Sequence, residues 1–401
     1  MHRSALTRPA LAAMFIASYL GAAATGQAGG YDETDLVVNK SVNGVPTLTD
    51  KNGIKHIAKV YDPDLKNPWG ISESSTSPFW VSDNGSGKST LYNAPALGGF
   101  SKNPRVVSIP SPGDPLGASG KPTGTVFNTT SQAPPAQQGF KISGFNCTTL
   151  PPTPTSAPAS FLFATEDGTI VGWSNNVFAT AGCQPNHGII AVDNSNPANP
   201  ASGAIYKGLA IATTAGGATY LYAANFRAGT VEIYDVNFHL VNTFTDPSLP
   251  ASYAPFNVVP IGGELFVTFA MRNSDKEDDV AGQGHGFVDT FDLTGEMIGR
   301  FAQHGQLDSP WGVALAPPGF GALGGLLWIG NFGNGHVNAY NFETGEFVDK
   351  VRDAKGQAIV IDGLWALKFG NGGNGGDPNV LYFTAGPNNE ADGLFGSLKP
   401  H

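Results

Sequence analysis

The chain has 401 residues, of which 53 are Gly and 30 are Pro, and only 13% are charged. Turns are therefore frequent, and the residues that build long solvated helices are scarce. A net charge of −10, with 22 Lys and Arg and no basic stripe, excludes phosphate-neutralising surfaces and so excludes nucleic acid and anionic membranes as partners.

The N-terminus reads MHRSALTRPALAAMFIASYLGAAATGQAGG, with Arg3 and Arg8 ahead of an apolar run over residues 10–23. Small residues then lead to a cleavage point after Ala24 or Ala28, the pattern of an export signal over residues 1–28. The run is too short for a permanent span, so no membrane span is expected after cleavage, and the mature chain is expected to be secreted, extracellular or periplasmic. Two cysteines, Cys147 and Cys183, suit a disulfide in an exported protein and are too few for a zinc site. Asn84, Asn128 and Asn146 head glycosylation sequons.

Residues 29–54 read as a polar lead-in, and residues 55–401 as one domain. HIAKVY (residues 56–61) is the first convincing strand, followed by NPWGISESSTSPFWVSDNGSGKSTLYN (residues 67–93). Short aromatic and β-branched runs there are separated by Gly, Pro, Asn and Ser clusters, which predicts strand, turn, strand, Gly-rich loop, strand. SPWGVALAPPGFGALGGLLWIGNFGNGHVNAYN (residues 309–341) repeats that order. Six such units can be aligned, starting near residues 69, 124, 205, 256, 311 and 364, at spacings of about 50–55 with one of about 80. The long spacing absorbs two insertions in the second unit, residues 131–160 and 174–187, each carrying one cysteine. Four strands per unit at this period predict an all-β fold, a six-bladed β-propeller of four-stranded blades. The sixth unit lacks a fourth strand, so an N-terminal strand is expected to complete the last blade and close the ring; residues 56–61 are the candidate.

In such a ring the first strand of each blade lines a channel, and the loops between second and third strands share one face with the inter-blade turns. Those loops supply Asp83 and Asn84, Glu166 and Asp167, Asn225 and Arg227, Glu277 and Asp278, Asn331, and Glu390 as candidate ligand-binding residues. Asn, Asp and Gly are also what tight hairpins demand, so Glu166, Arg227 and the acidic run at 277–279 carry the stronger signal. GSGKST (residues 85–90) imitates a phosphate loop, but it joins two strands and its first required Gly falls on Ser82. No G-x-S-x-G, H-E-x-x-H or zinc-ligand spacing occurs.

The motifs NPWGIS, FATEDGTIVGW, LYAANFRAGTVEIYD, EDDVAGQGHGFVDTFDL, LWIGNFGNGHVNAYN and LYFTAGPNNEADGLFG resemble an uncharacterised family of exported bacterial proteins with six-bladed propellers. The resemblance spans about residues 35–399 and implies a fold and an export route. More distantly, the architecture is similar to NHL-type propellers and to calcium-dependent lactonases and phosphotriesterases. That likeness implies that Glu166, Asn257 and Asp362 could hold Ca²⁺ at the channel. Two functions are therefore expected from sequence. The first is a secreted binding propeller that needs no cofactor and takes an extracellular small molecule, glycan, peptide or protein on its loop-rich face. The second is a Ca²⁺-dependent hydrolase of lactones or phosphoesters.

Overall fold

A computed structural model describes residues 29–95 and 98–401 of the chain. The expected export signal, residues 1–28, lies outside the described residues. Among these residues there is no α-helix, only five short 3-10 turns between strands, and hence no helix long and apolar enough to cross a membrane.

The strands gather into six sheets in chain order, plus two small satellite sheets. The first sheet is Pro68–Ser72, Phe79–Asp83, Lys88–Asn93 and Ser101–Ser108, each strand hydrogen-bonded to the next. The second is Pro122–Phe127, Phe161–Thr165, Thr169–Trp173 and Ile189–Asp193, and the third Tyr206–Thr213, Thr219–Asn225, Thr230–Tyr234 and Leu240–Phe244. The fourth runs from Tyr253–Ile261 to Met297–Gln303 and the fifth from Pro310–Leu315 to Phe347–Lys350. The sixth holds Leu364–Phe369, Leu381–Ala385 and Leu394–Pro400, extended by strands from the N-terminal side. The first strand of each sheet packs against the first strand of the next, and that of the sixth packs against that of the first, so the cycle closes. The fold is a β-propeller, as the repeat predicts.

Burial grades outward from the channel. Pro68–Ser72, Phe79–Asp83, Phe161–Thr165, Leu327–Asn331 and Leu381–Ala385 are buried at every position, which is why they read as unbroken apolar runs without alternation. The fourth strand Leu240–Phe244 is exposed at all but Phe244.

Each inner strand breaks register at the same point, between Pro68 and Ile71, Pro122 and Thr125, Tyr206 and Gly208, Pro255 and Asn257, Pro310 and Gly312, and Leu364 and Leu367. There the backbones of neighbouring blades nearly touch: a Cβ on Gly124 would lie 2.3 Å from Leu209 N, and one on Gly312 2.5 Å from Trp365 O. Glycine at these positions lets six strands converge on one axis.

The ring closes through Tyr31–Val38, which runs antiparallel to Leu394–Pro400 with Tyr31 opposite Pro400 and Val38 opposite Leu394. Closure by an N-terminal strand is thus as expected, but the strand is not residues 56–61. His56 sits in a satellite sheet of Ser41–Val42, Val45–Thr49 and Lys55–Ile57, while Val60–Tyr61 merely adds in parallel to Val37–Val38. The segment read as lead-in was obscured by Asp32, Glu33 and Asp35, acids that a rim strand can tolerate on its outer face. Tyr31 anchors it: its hydroxyl donates to Phe320 O at 2.9 Å and accepts from Leu323 N–H at 3.0 Å, and its ring meets Trp328 edge-on at 5.0 Å. In the second blade, the insertion forms a hairpin of Lys141–Asn146 and Thr153–Pro158, and Cys147 and Cys183 are joined in a disulfide.

Candidate functional site

The aligned inner strands PWG, PTG, YKG, PFN, PWG and LWA place one residue from each blade at the same level: Trp69, Thr123, Lys207, Phe256, Trp311 and Trp365. Three tryptophans and a phenylalanine fill the channel there. Trp69 stacks on Trp365 with centroids 3.5 Å apart, Trp365 stacks on Phe332 at 4.0 Å, and Trp311 meets Trp69 and Trp365 edge-on. Trp365 Nε1 donates to Asn67 Oδ1 at 3.0 Å and Trp311 Nε1 to Lys207 O at 3.0 Å. The indole N–H of Trp69 is buried without a partner among the described residues.

Lys207 is the charged residue at this level. Its side chain is 2% exposed, and its ammonium lies over the Trp69 ring at 5.2 Å and near the Phe226 ring at 5.8 Å, a cation–π arrangement. A buried ammonium survives only if paired, and Lys207 Nζ pairs with Glu166 Oε1 and, at 3.3 Å, with Asp278 Oδ1. Burial pulls the Lys207 pKa down, but the Glu166 and Asp278 carboxylates outweigh it and hold the ammonium above its ordinary range. Burial likewise presses the Glu166 carboxyl upward, and the Lys207 ammonium with the Asn84 amide brings it below the usual value.

A polar ring continues from this pair. Asn84 Nδ2 donates to Glu166 Oε2 at 2.8 Å, and Asn67 Nδ2 donates to Glu390 Oε1 at 2.9 Å and faces Asn84 Oδ1 at 3.5 Å. Asn67, with φ 44°, and Glu390, with φ 66°, both hold left-handed backbone conformations, as do Asn388 and Asn389 beside it. Strain of this kind in a non-glycine residue persists where the surroundings impose it. Glu390 makes no ion pair among the described residues. Burial, with Glu166 and Asp278 adding negative charge nearby, pushes its carboxyl up to about 7.

Outward from Glu166 runs a groove of about 410 Å³ lined by Lys121, Asp167, Arg227, Glu277 and Asp278. Arg227 donates to Pro200 O and Gly203 O at 2.6 and 3.0 Å and pairs with Glu277, and Asp167 accepts Lys121 N–H at 2.7 Å. On the far side of the aromatic layer, a cavity of about 290 Å³ follows the channel to the opposite face, with Glu73 and Lys368 paired at 3.3 Å.

The structure therefore brings together Asn84, Glu166, Asp278 and Glu390, from loops of four blades, with Asp167, Arg227 and Glu277 in the adjoining groove. Asp83, Asn225 and Asn331 lie elsewhere. Asp83 is fully buried and accepts Thr90 N–H and Asn225 donates to Glu232, each within its own hairpin, while Asn331 donates to Gln306 O in the connection that leads into its blade. Of the residues named for Ca²⁺, Glu166 is engaged by Lys207 and Asn84. Asn257 Oδ1 accepts Val258 N–H and its Nδ2 donates to Trp311 O, while Asp362 pairs with Lys51 at 2.7 Å and accepts Asn388 N–H. Sequence reasoning misses Lys207 and Trp365; the signal for them is the level they share with Trp69 and Trp311 once the units are aligned. Asn128, head of one sequon, is buried and donates to Gly139 O and Ala159 O, so its amide is committed to the fold.

No protein-family model matches the chain. The uncharacterised protein L690 of Acanthamoeba polyphaga mimivirus is 30% identical over 353 residues, covering 84% of this chain and 81% of the viral protein. Protein R648 of the same virus, also uncharacterised, is 27% identical over 347 residues, covering 84% of this chain and 76% of its own length. Both relatives are viral, so the bacterial source implied by the resemblance has no support from them. Among solved structures, a streptogramin B lyase aligns over 92% of this chain and 97% of its own at 11% identity and a TM-score of 0.45. The PQQ-bound aldose sugar dehydrogenase of Streptomyces coelicolor aligns over 84% and 95%, at 12% identity and 0.42. These similarities concern the fold alone.

Proposed function

The chain belongs to the family of the mimivirus protein L690, and we propose that it is a secreted, six-bladed binding propeller that receives a cationic group of its ligand at the channel mouth. The observation that carries this reading is Glu390. It is a half-buried carboxyl at the convergence of four blades, oriented by Asn67 and raised to about 7 by burial and by the negative charge of Glu166 and Asp278, which the Asn67 hydrogen bond and the Lys207 ammonium only partly offset. A primary amine or guanidinium placed beside it relieves the repulsion from Glu166 and Asp278 and favours the ionised carboxylate. The Lys207 ammonium, paired with Glu166 and Asp278, lowers the Glu390 carboxyl only in part, so a second cation adds to its effect. The adjoining groove, with its own carboxylates, accommodates the rest of an extracellular glycan, peptide or protein. The aromatic layer is buried and serves as a rigid floor.

Hydrolysis of lactones or phosphoesters with Ca²⁺ would need Glu166, Asn257 and Asp362 to turn their oxygens to one point. Their present partners oppose that arrangement, and binding is the reading adopted.

Calorimetric titration with a short lysine- and arginine-containing peptide, against a neutral oligosaccharide, tests the proposal. Saturable peptide binding that weakens at least about tenfold in Glu390→Gln and fades with salt is expected. Binding of the oligosaccharide alone, or peptide binding that Glu390→Gln leaves unchanged, would overturn it.

A further inference from the structure

Away from the channel, the closing strand meets the satellite sheet at a cluster of acids around one histidine. Glu33 and Asp35 come from Tyr31–Val38, His56 from Lys55–Ile57, and one ligand atom from each lies within 4.8 Å of the others. His56 is held between two carboxylates. Its Nδ1 is 3.0 Å from Asp35 Oδ1, and its Nε2 is 3.7 Å from Asp50 Oδ2, beyond hydrogen-bonding reach. The His56 side chain is 5% exposed and that of Asp50 is fully buried, yet His56 Nε2 and Asp50 Oδ2 both lack a hydrogen-bond partner among the described residues. Two buried polar atoms left unmatched beside each other are costly and call for an explanation.

The remaining contacts hold the cluster in place. Asp35 Oδ2 accepts Ile57 N–H at 3.2 Å, and Asp50 Oδ1 accepts the N–H groups of Asn52 and Ile54 at 2.9 and 2.8 Å. Asp50 is thereby fixed on the far side of the ring from Asp35 and Glu33. That is the relation in which a carboxylate orients a metal-ligating histidine through its other nitrogen.

We propose that Glu33, Asp35 and His56 form a site for a first-row divalent cation such as Zn²⁺, with Asp50 positioning the imidazole. One imidazole nitrogen with two carboxylates is a donor set for a transition metal and a poor one for Ca²⁺, which takes oxygen ligands. On loading, the neutral ring's single proton passes through solvent from Nδ1 to Nε2, and the freed Nδ1 lone pair takes the cation. The ring then carries its proton on Nε2, facing Asp50 Oδ2, and a small rotation of the ring that closes the 3.7 Å gap would pair both unmatched atoms. The solvent-exposed Glu33 leaves room for water to complete the coordination. Because two ligands sit on the strand that closes the ring and the third on the satellite sheet, the cation would clasp the closure.

The test uses the full mature chain, stripped with chelator and titrated calorimetrically with Zn²⁺ alone, alongside thermal melts. One Zn²⁺ per chain and a raised Tm are expected. Glu33→Gln, at an exposed position that folding tolerates, should weaken binding at least about tenfold, and Asp50→Asn about 10–100-fold. Glu390→Gln, at the channel mouth, should leave this binding unchanged. Absence of stoichiometric binding, or binding that Glu33→Gln and Asp50→Asn do not alter, would overturn the assignment.

Discussion

Lys207 and Glu166 form an ion pair between neighbouring blades, the lysine rising from an inner strand and the glutamate from the loop after Phe161–Thr165. The pair sits on the aromatic layer formed by Trp69 and its neighbours, where neither charge could persist without the other. Its place at the centre of the ring makes it both a fastening between blades and the inner wall of the mouth.

Removing one partner alone is expected to be costly. Lys207→Met leaves Glu166 half of a broken buried pair, and a loss of about 3–5 kcal/mol is predicted from denaturant unfolding. The double variant Lys207→Met/Glu166→Gln should recover most of that loss, because the only charge left without its partner is the exposed Asp278 carboxylate, which water solvates.

Much of the fold was legible in the residues, for a physical reason. Strands such as Phe79–Asp83 and Leu327–Asn331 are buried on both faces and bounded by Gly and Asn turns, so they read as clean apolar runs. The closing strand Tyr31–Val38 was missed because a rim strand keeps only Tyr31, Leu36, Val37 and Val38 inside, and its acids look like a tail. At the site, Glu166 and Asp278 stood out because turn chemistry does not require them. Asp83, Asn225 and Asn331 looked the same in sequence but turned inward to satisfy the backbone. Lys207 was hidden because a single lysine in a strand signals nothing until its level in the channel is known.

The convergence of inner strands predicts intolerance at their glycines. Gly312→Ala places a Cβ against Trp365 O, a backbone atom that cannot rotate away, so a loss of about 1–3 kcal/mol is expected in thermal or denaturant unfolding. Gly299→Ala, in an outer strand with open space around it, is the control and should change stability little.

Closure by Tyr31–Val38 predicts a specific failure on its removal. Deleting these residues strips the register partner from Leu394–Pro400 and exposes a long strand edge. Size-exclusion chromatography should then show aggregated chain in place of the species the intact chain forms, whereas removal of residues 1–28 alone should not.

The disulfide spans a 36-residue separation in the insertion of the second blade. Cys147→Ser/Cys183→Ser is predicted to lower stability by about 3–4 kcal/mol from the lost constraint on the unfolded chain. The blade strands themselves should persist, with far-UV circular dichroism unchanged below the transition.

Glu390 ties the site's chemistry to pH. Its folded-state carboxyl lies near 7, above the ordinary value of 4.5, so its contribution to stability is full below that ordinary value and is lost as pH rises through about 7. Binding of a cation runs the other way, strengthening as the carboxyl ionises.

The most direct measurement is therefore the proton count on binding. Titrating the lysine- and arginine-containing peptide at pH 7 in buffers of different ionisation enthalpy should show release of about half a proton per ligand, and none in Glu390→Gln. Binding without proton release in the native chain, or with the same release in Glu390→Gln, would contradict the placement of the ligand's cation at this carboxylate.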